Sequence, residues 1–188
     1  QSRAARNTSL FLVVLTLAGC VVFKPGRVLR PEALGLTCVS ETLCLEDATR
    51  VSEAQALADR ALAFVETNLG PIEREPRIYF CDSNSCFAKF GDPRVSGLYF
   101  WGANDIVVND KGWQDHIVRH ELIHHWQSET FGVLQAGTRL PRWYIEGMAY
   151  VLSEDPRQII PNEKAQAQRL QFQRWIAAGN DWRMAPDS

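Results

Sequence analysis

Apolar positions along this chain follow two rhythms, one helical and one alternating. Between residues 52 and 69, Ala54, Leu57, Ala58, Ala61, Leu62, Val65 and Leu69 recur at three- and four-residue steps, the signature of a helix buried on one side. Ser52 with Gln55 resembles a capping box, and Gly70-Pro71 supplies the stop. The runs 77–81 (RIYFC), 97–101 (GLYFW) and 105–109 (DIVVN) are rich in β-branched and aromatic residues and read as strands. Gly102-Ala103-Asn104 joins the last two as a hairpin, with Tyr99 and Trp101 expected to pack on the sheet more than to line a cleft.

Helical spacing returns over 113–131, with a cap near Asn109 or Asp110 and Gly132 as terminator. Trp113, Ile117, His120, His124 and Phe131 share one face of that helix, and Val118, Leu122 and Trp126 line another. A helix apolar on two sides lies between a sheet and a second layer. After the mixed connection 133–140, Pro141 suits the first position of a helix running to about Ser153, with Ile145, Met148 and Leu152 as its apolar stripe. A last helix over 163–178 has Asn162 as cap, Gly179 as stop, and Leu170, Phe172, Trp175 and Ile176 as anchors.

At 188 residues the chain suffices for one domain and is short for two. Arg3 and Arg6 precede an apolar run over 10–18 (LFLVVLTLA) that ends in Gly19-Cys20 without an acidic residue, the layout of an export signal. Leu17-Ala18-Gly19-Cys20 resembles a bacterial lipobox, which implies cleavage before Cys20 and lipid on its sulfur. The alternative is an uncleaved signal anchor, since the apolar run continues to Phe23, still short of the roughly 20 residues that span a bilayer. Either reading puts the rest outside the cytoplasm, in a bacterial periplasm or envelope, held to the membrane by its N-terminus. The expected organisation is a signal or anchor over 1–23, a linker and cysteine-bounded loop over 24–50, and a single domain over 51–188.

Cys38, Cys44, Cys81 and Cys86 fall in two local pairs; three pairings are open, and the local one is the simplest. In an oxidising compartment these read as disulfides, and neither pair has the spacing of a zinc ribbon. The net charge of −2, mixed in sign and without a basic tract, argues against a nucleic-acid partner.

Chemistry concentrates in the helix over 113–131, which holds all four histidines: His116, His120, His124 and His125. His120-Glu121-Leu122-Ile123-His124 places two imidazoles one turn apart on one face, able to share a metal ion. Glu121 lies about 100° round the helix, placed to take a proton from a water activated by that metal. The chance expectation for such a pentapeptide at this composition is about 0.005, so coincidence explains it poorly. Catalytic zinc takes three protein ligands and leaves a position for water. Glu146 is the expected third ligand: it sits on the next helix in an apolar neighbourhood, where an unpaired carboxylate is costly, and Gly147 beside it permits close backbone approach. Three histidines in one stripe extend over about 12 Å, so His116 is expected at the rim of the site; His125, on another face, is expected to be structural.

The segments 120–127 (HELIHHWQ) and 140–149 (LPRWYIEGMA) together resemble the gluzincin clan of zinc metallopeptidases, the peptidase MA-like group that includes thermolysin. The resemblance covers roughly residues 75–155 and is specific at the two helices. It implies an α+β, zincin-like fold, a small twisted mixed sheet packed on helices, with peptide substrate bound along an edge strand near 98–101. It also implies His120, His124 and Glu146 as zinc ligands and Glu121 as general base. Tyr150 stands where such enzymes usually carry an acidic residue four positions after the glutamate ligand, so Tyr150, a backbone carbonyl or another carboxylate has to orient a histidine. Tyr144, Tyr150 and Arg142 are candidate oxyanion donors. Two alternatives remain open: a zinc-binding envelope module that binds a partner and no longer cuts, and a metal-free lipoprotein with surface histidines.

Overall fold

A computed structural model of the chain describes residues 31–186. Residues 1–23, which carry the signal, lipobox or anchor reading, lie outside the described residues. Among the described residues no helix is long and apolar enough to cross a membrane.

Five strands form one mixed sheet: β1 (Thr37–Cys38), β2 (Leu43–Leu45), β3 (Arg77–Phe80), β4 (Gly97–Phe100) and β5 (Asp105–Val108), in the order β1-β2-β3-β5-β4. The three inner strands β2, β3 and β5 run parallel, and β1 and β4 close the two ends antiparallel to their neighbours. The helices are α1 (Val51–Asn68), α2 (Asn84–Phe87, a single turn), α3 (Asp115–Phe131), α4 (Arg142–Leu152) and α5 (Glu163–Ala177). This is an α+β arrangement.

Strand alternation divides the core in two. Leu43, Leu45, Ile78, Phe80, Ile106 and Val108 face the helices and join Ala61, Val65, Leu122, Ile145 and Phe172 in the main core. Cys44, Tyr79 and Val107 face the other way, into a smaller cluster with Phe87 and Phe90. Helix α3 packs against α1, α4 and β4, so it is central, as its two apolar faces require. Eleven of its residues are buried, including the unbroken run 120–128.

The disulfides are the local ones, Cys38–Cys44 and Cys81–Cys86. Both belong to the smaller side of the sheet, and they suit an oxidising, extracytoplasmic environment.

Several expectations need correction. The cysteine-bounded loop is a β-hairpin: Cys38 pairs with Cys44 across β1 and β2, strands of two and three residues that are too short to show a period. Ser52 does not cap α1; it lies inside the helix, which follows directly on a 3-10 turn (Ala48–Arg50) capped by the Asp47 side chain. Asn109 caps another 3-10 turn, Asp110–Gly112, and α3 starts only afterwards. Pro141 is the residue before α4, with ψ of 135°, and not its first helical position. Leu170 is 42% exposed and anchors nothing: it lies about 200° round α5 from the fully buried Phe172.

Candidate metal centre

His120 and His124 stand on adjacent turns of α3, and α4 crosses close enough to bring Glu146 between them. Glu146 Oε2 is 3.6 Å from Nε2 of His120 and 3.6 Å from Nε2 of His124. Candidate donor atoms of the three residues all lie within 4.8 Å of one another, so the group can hold a metal ion. Tetrahedral bonds of about 2.0–2.1 Å separate neighbouring ligand atoms by roughly 3.3–3.4 Å. The two spacings to Glu146 are therefore close to those of ligands sharing one small ion.

The close approach of α4 depends on its own packing. A Cβ on Gly147 would lie 2.5 Å from the Gln168 carbonyl oxygen and 2.6 Å from Phe172 Cβ, so only glycine lets α5 press on the back of the helix that carries Glu146. Tyr144, Ile145, Met148 and Ala149 are buried around it.

His124 is oriented by Gln127, which the sequence reading overlooked. Nδ1 of His124 donates to Gln127 Oε1 at 2.8 Å, and the Gln127 amide donates to the Ile145 carbonyl at 2.9 Å. With its amide oxygen so fixed, Gln127 keeps the proton on Nδ1 and the Nε2 lone pair towards Glu146. His120 lies against the Tyr150 ring, edge to face at a centroid distance of 4.5 Å, and Trp101 flanks His124 at 5.7 Å.

Burial resists ionisation of Glu146, but the charges and hydrogen bonds of His124 and His120 outweigh it and hold the carboxyl well below the usual carboxylate range. Burial also works against a charged His124, yet Glu146, Glu121 and Gln127 together raise its pKa. Arg142 bonds the other oxygen of Glu146, Oε1, leaving Oε2 to the imidazoles.

Glu121 sits beside this group under the end strand β4. A Cβ on Gly97 would lie 2.6 Å from Glu121 Oε1 and 2.8 Å from its Cγ, so the strand reaches the carboxylate only because residue 97 is glycine. Burial raises the pKa of Glu121, partly offset by His120 and His124.

These residues open onto a cleft of about 520 Å³, walled by Gly97, Leu98 and Tyr99 of β4, by Trp101, and opposite them by Tyr150 and the start of α5. Tyr99 and Trp101 thus line the cleft, the less favoured of the two expectations for them. Tyr99 does both: it is 7% exposed, and its hydroxyl bonds Asn104. Because β4 ends the sheet, its outer backbone edge has no strand partner among the described residues.

The other two histidines are accounted for elsewhere. His116 Nε2 faces Asp155 Oδ1 at 3.9 Å and lies outside the metal group. His125 is fully buried and bonds the Arg74 carbonyl at 2.7 Å, tying α3 to the segment before β3. Of the oxyanion candidates, Tyr144 is removed: it is fully buried and donates to the Trp182 carbonyl at 2.7 Å. Tyr150, its hydroxyl pKa raised to about 12 chiefly by burial, and Arg142 do line the cleft.

A second cluster, Glu46 with Cys81 and Cys86, is no metal site, because its sulfurs form a disulfide. Glu46 accepts instead from the Asp82 and Ser83 amides at 2.8 and 2.9 Å, bracing the loop into α2. Comparison with protein-family models, curated proteins and solved structures gives no match for this chain.

Proposed function

We propose that this chain is an extracytoplasmic zinc-dependent peptidase of gluzincin type, attached to the envelope of a bacterium through its N-terminus. The observation that carries the proposal is the convergence of His120, His124 and Glu146 from two helices, with Glu121 buried beside them below a sheet edge. Two imidazoles and one carboxylate are a donor set that suits zinc, with a position left for water. Zinc held there supplies Lewis acidity, which acidifies water and polarises a carbonyl.

The chain's own groups would do the rest. An extended peptide pairs its backbone with β4 and so lies across the cleft with a carbonyl near the histidines. Glu121, its pKa raised by burial, takes the proton from water and passes it to the leaving amine. Tyr150 and Arg142, which line the cleft, would answer the negative charge that develops on the carbonyl oxygen.

A zinc-binding module that no longer cuts is the second reading, favoured by Tyr150 in the place of an acidic residue. Glu121 weighs against it, since a buried carboxylate is costly to retain where it has no task.

The deciding experiment combines elemental analysis with cleavage of quenched fluorescent peptides. The peptidase reading expects close to one zinc per chain, turnover by the wild type, and loss of about 10²–10⁴-fold in Glu121→Gln with zinc retained. Zinc without turnover supports the module, turnover retained in the variant removes Glu121 as base, and absence of zinc removes both readings.

A further inference from the structure

Basic side chains outnumber carboxylates among the residues that line the cleft, in a protein that is negative overall. The chain carries a formal −2, yet Arg94, Arg142, Arg157 and Lys164 all line the cleft, while among the described residues its only carboxylates are Glu121 and Glu146. Those two belong to the metal site. Arg142 is bound to Glu146, and Arg94 is an exposed side chain bound to Asp92.

Arg157 differs from these. Its Nε donates to Asp155 Oδ1 at 2.9 Å, its backbone N–H donates to the same oxygen at 3.0 Å, and its Nη2 bonds Oδ2. The Asp155 side chain is only 1% exposed, so the guanidinium is held by a buried anchor. Arg169 adds a brace by donating to the carbonyls of Asp155 and Arg157. Nη1 of Arg157 has no hydrogen-bond acceptor among the described residues, and the side chain faces the cleft on the Tyr150 side. Lys164 stands in the first turn of α5, where a cation runs against the helix dipole, and it likewise has no ion-pair partner among the described residues.

A guanidinium fixed on one edge and open on the other is a preorganised hydrogen-bond donor to a planar anion. We propose that Arg157, assisted by Lys164, forms a subsite that recognises a carboxylate of the bound peptide, supplied by an Asp or Glu side chain or by a free C-terminus. This deepens the peptidase reading and rests on it for the identity of the ligand as a peptide.

The test uses zinc-loaded Glu121→Gln protein, so that binding is read without turnover. Acetylated alanine-based heptapeptides carrying one Glu or one Gln at each position in turn, each as free acid and as amide, are titrated by calorimetry. A Glu peptide is expected to bind about fivefold or more tighter than its Gln counterpart at one or two positions, the scale of one partly exposed charge pair. If the C-terminus is the source, the free acid outbinds the amide and the Glu position is immaterial.

Arg157→Gln, added to this protein, is expected to erase the preference. Because it strands buried Asp155, the exposed Lys164→Gln is measured as well and is expected to reduce the preference about twofold or more. Equal binding of all peptides, or no binding, overturns the subsite, as does a preference that survives both substitutions. Wild-type turnover is scored separately: cleavage without preference leaves the peptidase and removes the subsite, whereas preference without cleavage does the reverse.

Discussion

Gln127 lies one turn beyond His124, and its side chain is the part of the site hardest to read from sequence. A glutamine on a helix normally faces solvent, and only the burial of α3 on all sides turns this one inward, where it is fully buried and bonded at both ends of its amide. By contrast, His120, Glu121, His124 and Glu146 were legible, because helical spacing fixes which of them share a face and an unpaired carboxylate among apolar residues asks for a partner. Replacing Gln127 by Leu leaves His124 Nδ1 without an acceptor, and zinc affinity should fall about 10–100-fold in competition with a chelating dye. Gln127→Glu restores an acceptor and should recover most of it; equal affinity in all three proteins would mean that His124 needs no orienting partner. Asp105 is a second residue whose role only the fold reveals. It opens β5 on the smaller side of the sheet, beside Tyr79 and Arg77, and is 7% exposed. Burial raises its pKa to about 6, with Arg77 and a Tyr79 hydrogen bond offsetting part of the effect. The folded state therefore binds a proton that the unfolded state releases near its ordinary value of 3.8, and the stabilising protonated form is lost as pH rises through about 6. Asp105→Asn should track the wild type below about pH 4 and become more stable by about 1–2 kcal/mol at pH 7 in urea titrations. A variant less stable than the wild type at pH 7 would show that the charged form is the one the fold uses.

Among the elements, α4 joins the fold to the site. Its apolar stripe was visible in the sequence, and so was the use of Gly147 for close approach, although Pro141 was expected inside the helix and stands just before it. What it approaches was not visible, because the contact is with α5 and not with the helix of the histidines. Gly147→Ala puts a methyl group 2.5 Å from a backbone carbonyl, which cannot move as the tip of a flexible side chain can. The helix must shift, and Glu146 shifts with it. Overpacking of this kind costs about 1–3 kcal/mol, even though alanine is the better helix former. Thermal unfolding should show that loss without metal, and zinc affinity should fall as well, since both histidines stay on α3 while Glu146 retreats. A variant as stable as the wild type and with unaltered zinc affinity would mean that α5 yields instead. The short elements around this frame were the least legible: β1 and β2 have too few residues for alternation to register, and their existence depends on pairing with β3 and on a cross-strand disulfide.

For the molecule as a whole, the sheet separates two regions held together differently. On one face four helices bury the main core and position the site; on the other the segment leading into β1, with Leu34 and Leu36, a single helical turn and a few aromatics cover the strands, and both disulfides lie there. A side that cannot bury enough apolar surface gains most from cross-links. Each bridge closes a loop with a sequence separation of 6 or 5 residues, and for loops of that size the chain-entropy contribution is about 2 kcal/mol apiece. Reduction should thus remove a sizeable share of the stability of a domain of this length and lower its melting temperature by on the order of 10 °C. The loss should also be local. Hydrogen exchange after reduction is expected to rise over 31–47 and 81–91, while α3 and α4 stay protected and zinc affinity changes by less than about threefold. If zinc binding is lost together with the disulfides, the two faces form one cooperative unit. In that case the oxidising compartment is a condition for the metal site itself and not only for the far side of the sheet.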